Sequence, residues 1–356
     1  MSTPDTESAI RLLEHLIATP SISREENATA DILESWLNEH GCEPHRVDNC
    51  VWALAPGFDP SRPTLMLNSH HDTVRAAASW TRDPFTPTRE GDRIYGLGSN
   101  DAGASVVSLA TTFRHMRNEP LPFNLLLALT AEEEVMGEHG MRGFLPHMEQ
   151  QGIRIDMAIV GEPTSLQPAV AERGLIVLDC VAHGKSGHAA RNEGVNALYI
   201  ALDDIARLRQ FGFQRISPTL GPIKISVTQI EAGRQHNVVP DECRFVVDVR
   251  TTDAYTNEET AEILNAALQS DGRPRSTRVR ASVIPSDHPL VVAATSLGGT
   301  PYVSPTTSDM ALMPFPSLKI GPGESARSHS ADEFITTGEI ADGIGLYTRL
   351  LHNIRL

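Results

Sequence analysis

Four short, largely apolar runs limit what this chain can fold into: Leu65-Met66-Leu67, residues 124–129, residues 157–160 and residues 318–320. Each is short for a buried helix, and each is continuous rather than alternating. Strands covered on both faces, in a largely parallel sheet, have that pattern. In an open α/β sheet the ligand site lies beyond the carboxyl ends of the strands. The residues that follow each run are therefore informative: His70 and Asp72, then Glu132-Glu133-Glu134, then Glu162, then His329. Four expected strand ends each deliver a side chain that can bind a metal.

The chain has 356 residues, more than one core comfortably serves, so two domains are expected. Ile10, Leu13, Leu16 and Ile17 mark the apolar face of a first helix, and residues 27–40 read as a second, stopped by Gly41. The middle of the chain has another rhythm. A strand over 175–181 is followed by a helix over 195–210, strands over 223–230 and 243–250, a helix over 257–269 and a last strand near 278–283. This βαββαβ order is the ferredoxin-like split βαβ arrangement. The expected organisation is an α/β catalytic domain with a mostly parallel sheet, built from residues 1–172 and 284–356, interrupted by an inserted domain over 173–283.

Composition excludes several function classes. The net charge of −15 makes nucleic acid and anionic membranes poor partners. The longest apolar stretch, around residues 125–129, is far short of a membrane span. The first residues, MSTPDTESAI, lack the basic and apolar regions of a signal peptide, so a cytoplasmic protein is expected. Cys42, Cys50, Cys180 and Cys243 form no CxxC pair and read as free structural thiols. Three of the 30 cationic residues are lysine and the rest arginine.

Taken singly, the polar motifs are weak. In NSHHDTV, His70 and Asp72 stand two apart and face one side of an extended segment, so one imidazole nitrogen can bind a metal while the carboxylate holds the other. A polar loop would read the same way. In GLGSNDAG, Gly96, Gly98 and Gly103 surround Asp101, as in many acidic turns. Three consecutive glutamates repel one another, which a dication relieves and a helix N-terminus also accommodates. Glu162 in VGEPT and His329 in GPGESARSHSADEF are individually unremarkable. Together, two histidines and several carboxylates at strand ends match a borderline-to-hard metal site. A bridging carboxylate with one His and one Glu per ion gives a balanced pair. A spare glutamate beside two ions is the apparatus of hydrolysis.

The ordered series NSHHDTV, YGLGSNDAG, TAEEEVMG, VGEPT, HGKSGHAA, NVVP, VVDVR and SHSADEF resembles the M20 metallohydrolases, in particular their acetylornithine deacetylase-like members, over almost the whole chain. The resemblance implies a zinc-exopeptidase-like fold, with the inserted domain acting as a lid and dimerisation module. It implies two zinc ions, with cobalt or manganese as substitutes. His70 and Glu162 would hold one, Glu134 and His329 the other, with Asp101 between them. Asp72 would orient His70 and Glu133 would be the general base and acid. A cis peptide is implied after Asp101. His188 would reach the partner subunit's active site in a homodimer and polarise the scissile carbonyl. Asn237 and Arg250 fall on pocket-lining positions, and Arg327 is a further candidate for the substrate carboxylate.

The chain departs from the family pattern in places. It reads Glu-Glu-Glu where Asp-Glu-Glu is usual, leaving Glu132 open as an alternative base. The lid motif continues Ala190-Arg191-Asn192 rather than to a proline, and the Gly-Gly-Thr-x-Asp segment is split between Gly298-Gly299-Thr300 and Thr307-Ser308-Asp309. The expected activity is removal of an Nα-acyl group from ornithine or citrulline in arginine biosynthesis, with Asp309 and Glu324 as candidate partners for the polar side chain. The alternatives are a succinyl-diaminopimelate desuccinylase or lysine-pathway deacylase, a dipeptidase or aminopeptidase, and a metal-binding protein without catalysis. The presence of Glu133 disfavours the last.

Overall fold

The computed structural model describes residues 4–191 and 193–356. Residues 1–3, expected in the catalytic domain, and Asn192, in the lid segment, lie outside the described residues. The chain separates into two compact units. The first comprises Met1–Val170, Ile284–Tyr302 and Ser308–Leu356, the second Ala171–Val283 and Val303–Thr307. The short stretch Val303–Thr307, expected with the first, groups with the second.

The first unit is built on a mixed sheet. Its strands lie in the order His45–Val47, Cys50–Leu54, Asn124–Thr130, Thr64–His70, Met157–Val160 and Ser317–Lys319. The last four are mutually parallel and are the four apolar runs of the sequence. Cys50–Leu54 adds antiparallel to Asn124–Thr130, and His45–Val47 adds antiparallel to that. All four parallel strands are buried along their whole length.

Both faces are covered, which explains the continuous apolar pattern. On one face Leu65, Leu67, Leu125, Leu127 and Ile159 pack with the helices Pro4–Ile17, Asn27–Glu39, Ala104–Met116 and Thr337–Asn353. On the other, Met66, Leu126 and Ala158 pack with Met141, Phe144 and Met148 of the helix Met141–Gln150. The helix Asn27–Glu39 ends as expected at Gly41, at φ 69°, with the Cys42 N–H donating to the Leu37 carbonyl in a Schellman-type cap. The C-terminal helix starts at a capping box formed by Thr336 and Glu339.

The second unit is an antiparallel four-stranded sheet in the order Lys224–Ala232, Glu242–Thr251, Gly174–His183, Asp271–Pro274. The helices Ala197–Gln210 and Asn257–Ala267 accompany it. Its core includes Ile176, Leu178, Phe245, Val247 and Leu264. The chain order and sheet order are those of the split βαβ motif. The last strand differs from expectation: it is Asp271–Pro274, while Ser282–Val283, inside the expected span, pairs with Glu172 and Ala171 instead.

Candidate metal centre

Because the four strands are parallel, their carboxyl ends lie together. His70 is the last residue of its strand and pairs in register with Thr130. Thr130 is followed by the turn carrying Glu132–Glu134, Val160 by Gly161 and Glu162, and Lys319 by the loop that leads to His329. Asp101 reaches the same place from the turn Ser99–Gly103, which precedes the helix Ala104–Met116. That turn is tight: a side chain on Gly103 would meet the Gly98 carbonyl oxygen at 2.4 Å. The Asp101–Ala102 peptide is cis.

The two histidines face opposite oxygens of one carboxylate. His70 Nε2 lies 3.3 Å from Asp101 Oδ1 and 3.8 Å from Glu162 Oε1. His329 Nε2 lies 3.7 Å from Asp101 Oδ2 and 3.0 Å from Glu134 Oε1. Candidate ligand atoms of His70, Asp101 and Glu162 all fall within 4.8 Å of one another, as do those of Asp101, Glu134 and His329. Asp101 belongs to both sets. A third grouping, His70, Glu133 and Glu134, closes within the same limit. Glu133 stands farther from His70 Nε2 than the other two carboxylates, at 3.9 Å.

Asp72 organises the near side. His70 Nδ1 donates to the Asp72 carbonyl at 3.0 Å and lies 3.4 Å from its Oδ1. This leaves the Nε2 lone pair directed at Asp101 and Glu162. The fully buried Asp72 carboxylate also accepts from Ser23 Oγ at 2.7 Å and from the N–H groups of Glu133 and Glu134 at 3.0 and 3.2 Å. One side chain thus orients a histidine and holds the glutamate turn.

The register within the three glutamates is now visible. Glu132 sits at φ 54° and folds back, its Oε2 accepting from the His139 N–H at 3.2 Å. It closes over Gly137, where a side chain would meet Glu132 Oε2 at 1.7 Å. Only Glu133 and Glu134 turn toward the histidines.

The electrostatics of the cluster suit a cation-binding site. Burial alone would push the His70 pKa down, yet the carboxylates of Glu133, Asp101, Asp72 and Glu162 raise it well above its ordinary value. The hydrogen bond His329 donates to Glu134, with Asp101 nearby, pushes its pKa up to about 9. Burial pushes Glu162 up to about 8 against the opposing pull of His70, and burial also raises Glu133 well above the carboxylate range. Asp101 and Asp72, which face His70 directly, are instead held below the usual carboxylate value against their burial, so the cluster gathers several acidic groups around two imidazoles, a setting in which a dication is favoured. Nitrogen and oxygen donors without thiolate suit zinc, and also cobalt or manganese.

Several residues brace the site in a role the sequence did not suggest, among them Asp309, which was a candidate partner for the substrate side chain. Glu26 is buried and accepts from the Glu132 N–H at 3.2 Å. Asp309, 2 % exposed, accepts from Thr130 Oγ1 at 2.8 Å and lies against Asn68. Burial pushes it up to about 6. Glu333 and Asn100 join the Asp101 turn to the His329 loop. These two stand close to recognisable motif residues, but the long-range partners of all four are invisible locally.

The remaining candidates have other settings. Arg327 donates from Nη1 to both oxygens of Glu339 at 2.9 and 3.0 Å, and its Nη2 pairs with Glu324 at 2.8 Å. Its guanidinium lies 4.4 Å from the Phe334 ring centre. It ties the His329 loop to the capping box of the C-terminal helix. In the second unit, Arg250 is clasped by both oxygens of Asp248 at 2.9 and 3.1 Å. His188 and Asn237 meet on one small ribbon, Gly187–His188 against Val238–Val239, with the Ala189 N–H donating to the Asn237 carbonyl at 3.0 Å. His188 is exposed, and its Nδ1 accepts from the Ala190 N–H at 3.1 Å. The proton of a neutral ring therefore sits on Nε2, as an outward donor.

The comparisons agree with this architecture. Residues 66–353 match the model of peptidase family M20/M25/M40. The chain is 31% identical over 377 residues to a protein named acetylornithine deacetylase from Edwardsiella ictaluri, covering 97% of each. It is 29% identical over 380 residues to one of the same name from Shigella sonnei, again covering 97% of each. Among solved structures, an M20 family metallo-carboxypeptidase from Sulfolobus solfataricus superposes with a TM-score of 0.75 at 17% identity, covering 97% of this chain and 99% of that one. Aminopeptidase PepT from Bacillus cereus gives 0.76 at 17% identity, with 98% of each covered. A dinuclear metal binding peptidase of the M20 family from Bacillus subtilis gives 0.71 at 17% identity, covering 98% of this chain and 97% of that one. With the parallel strands, the shared aspartate and the full-length match in agreement, the chain belongs to peptidase family M20/M25/M40 and is a hydrolase of amide bonds.

Proposed function

We propose that the protein is a dinuclear-metal amidohydrolase that removes an Nα-acyl group from ornithine or citrulline. The observation that carries the two-ion part is the Asp101 carboxylate between His70 and His329, each histidine having its own glutamate. His70 and Glu162 would hold one zinc ion, Glu134 and His329 the other, with Asp101 shared. When bound, the ions would lower the pKa of a water and polarise the acyl carbonyl. Glu133 takes a proton from the attacking water and delivers it to the leaving amine. Asp72 holds the Glu133 and Glu134 N–H groups, so the base and one ligand keep a fixed relation.

The second unit has the proposed role of lid and dimerisation domain. The outward Nε2–H of His188, supplied by a partner subunit, would donate to the developing oxyanion, with Asn237 beside it. A homodimer through this unit is supported by its apolar exposure, which includes Val195, Tyr199, Leu202 and Ile230. It is also supported by the strand Lys224–Ala232, whose outer edge no other strand covers among the described residues. Uncovered edges invite pairing. Arg250 is the candidate for the substrate carboxylate, exchanging with its Asp248 partner. Arg327 reads better as a brace for the His329 loop.

No helix among the described residues is long and apolar enough to cross a membrane, and a cytoplasmic place in arginine biosynthesis fits this reading. The substrate assignment rests on the relatives named acetylornithine deacetylase. Several fold neighbours are peptidases, so the test is a comparison of kcat/KM. Purified protein should favour acetylornithine or acetylcitrulline over succinyl-diaminopimelate and simple dipeptides. A tenfold lead for either of the latter, about 1.4 kcal/mol in transition-state binding, overturns the substrate assignment.

A further inference from the structure

Asp101 and His329 come from loops far apart in sequence, and two side chains lace those loops together. Glu333 is 2 % exposed. Its carboxylate accepts the N–H groups of Gly98, Asn100 and Asp101 at 3.2, 2.8 and 2.9 Å, and its carbonyl accepts from the Gly96 N–H at 3.0 Å. Asn100 answers in the other direction. Its Nδ2 donates to the Glu324 carbonyl at 3.1 Å and its Oδ1 accepts from the Glu324 N–H at 2.9 Å. The turn that presents Asp101 is thus held by the loop that presents His329, on both sides of that histidine.

His329 needs this support. Its side chain is 54% exposed and its backbone lies in the left-handed region at φ 56°. Its ring meets the cluster through Glu134 and Asp101, and the ring itself is not enclosed. Where it stands is decided at the base of its loop. The other half of the centre is held differently: His70 ends a central strand and is fixed by Asp72, while Glu162 follows the strand Met157–Val160.

We propose that Glu333, assisted by Asn100, is the positioning residue that sets Asp101 against His329 and thereby fixes the affinity for the ion reached by Glu134 and His329. This rests on the two-ion reading above. Partners behind metal ligands govern affinity by about 10- to 100-fold. Loss of Glu333 should weaken the second ion by that factor and leave the first, at His70 and Glu162, within about threefold.

The test titrates metal-free protein with Zn²⁺ by calorimetry and with Co²⁺ by visible absorption, for wild type, Glu333→Ala, Glu333→Gln and Asn100→Ala. Glutamine keeps the size and one acceptor oxygen, so it should shift the second ion less than alanine does and serves if alanine does not fold. Asn100→Ala should act in the same direction. The Co²⁺ spectrum of the second equivalent should change in these variants, and excess metal should restore kcat. Asp204→Asn removes a buried carboxylate that caps backbone N–H groups in the other unit. It should lower Tm without moving the isotherm. Wild-type-like binding of both ions in the Glu333 and Asn100 variants, or equal weakening of both, overturns the proposal. A wild type that binds fewer than two ions overturns the two-ion reading itself.

Discussion

Replacing Glu133 by glutamine separates the proposed proton carrier from the proposed metal ligands. The side chain is 7 % exposed, and glutamine fills the same volume. The Glu133 backbone N–H stays bonded to Asp72, so the turn keeps its shape. His70, Asp101, Glu134, Glu162 and His329 are untouched. Positioned acid–base catalysis contributes about 100- to 10,000-fold, which corresponds to about 2.7–5.4 kcal/mol of barrier. Because volume and the backbone bond are kept, stability should change little. The assay is kcat/KM on an N-acyl amino acid, with metal content and Tm measured on the same samples. We expect a loss of that size, two ions still bound, and a Tm close to that of the wild type. Glu132→Gln keeps an acceptor oxygen for the His139 N–H and should cost at most about 1 kcal/mol of stability, with kcat within about threefold. An active Glu133→Gln beside an inactive Glu132→Gln would refute the assignment.

Two further variants probe the surroundings. Asp72→Ala strands the N–H groups of Glu133 and Glu134; at about 1–3 kcal/mol for each stranded group it should lower Tm markedly and weaken metal binding about 10- to 100-fold. Burial alone would raise the Asp72 pKa, but His70, Ser23 and the Glu133 N–H bring it below the ordinary value. Its contribution is therefore present above the unfolded value of about 3.9 and lost as pH falls through the lower folded value, an acid limb that Asp72→Asn should reduce in chemical denaturation. Mixing inactive His188→Ala and Glu133→Gln chains should restore activity in the hybrid dimer, which regains one site with both groups; no recovery in a verified heterodimer contradicts action in trans.

How much of the fold and site was legible in the sequence depended on the range of the interactions. Each of the four apolar runs is a parallel strand because burial on both faces leaves a mark in consecutive residues. His70, Glu134 and Glu162 were legible because each comes soon after such a run; Asp101 was marked instead by the glycines of its turn. Within Glu132–Glu134, composition could not separate the three; the fold bonds Glu132 to the His139 N–H and turns the next two residues toward the histidines, which supports Glu133 as the proposed base. The last strand of the second unit escaped detection because Asp271-Gly272-Arg273-Pro274 has the composition of a turn, and its pairing with residues 178–181 overrides local preference. Arg250 and Arg327 stood as substrate-binding candidates, since nothing local announces the partners Asp248, Glu339 and Glu324. Glu333, Glu26 and Asp309 were invisible as braces, because a buried carboxylate shows its purpose only through the distant N–H and hydroxyl groups it accepts.

The most direct test of the account is the dependence of amide hydrolysis on metal stoichiometry. Metal-free protein, verified by elemental analysis, would be titrated with Zn²⁺ or Co²⁺ while hydrolysis of acetylornithine and bound metal are followed together. The two-ion centre predicts negligible activity without metal and a rise that ends at two ions per chain, with Glu134→Ala and His329→Ala ending at one. Full activity in verified metal-free protein, or full activity at one ion per chain with no second ion bound, would contradict it.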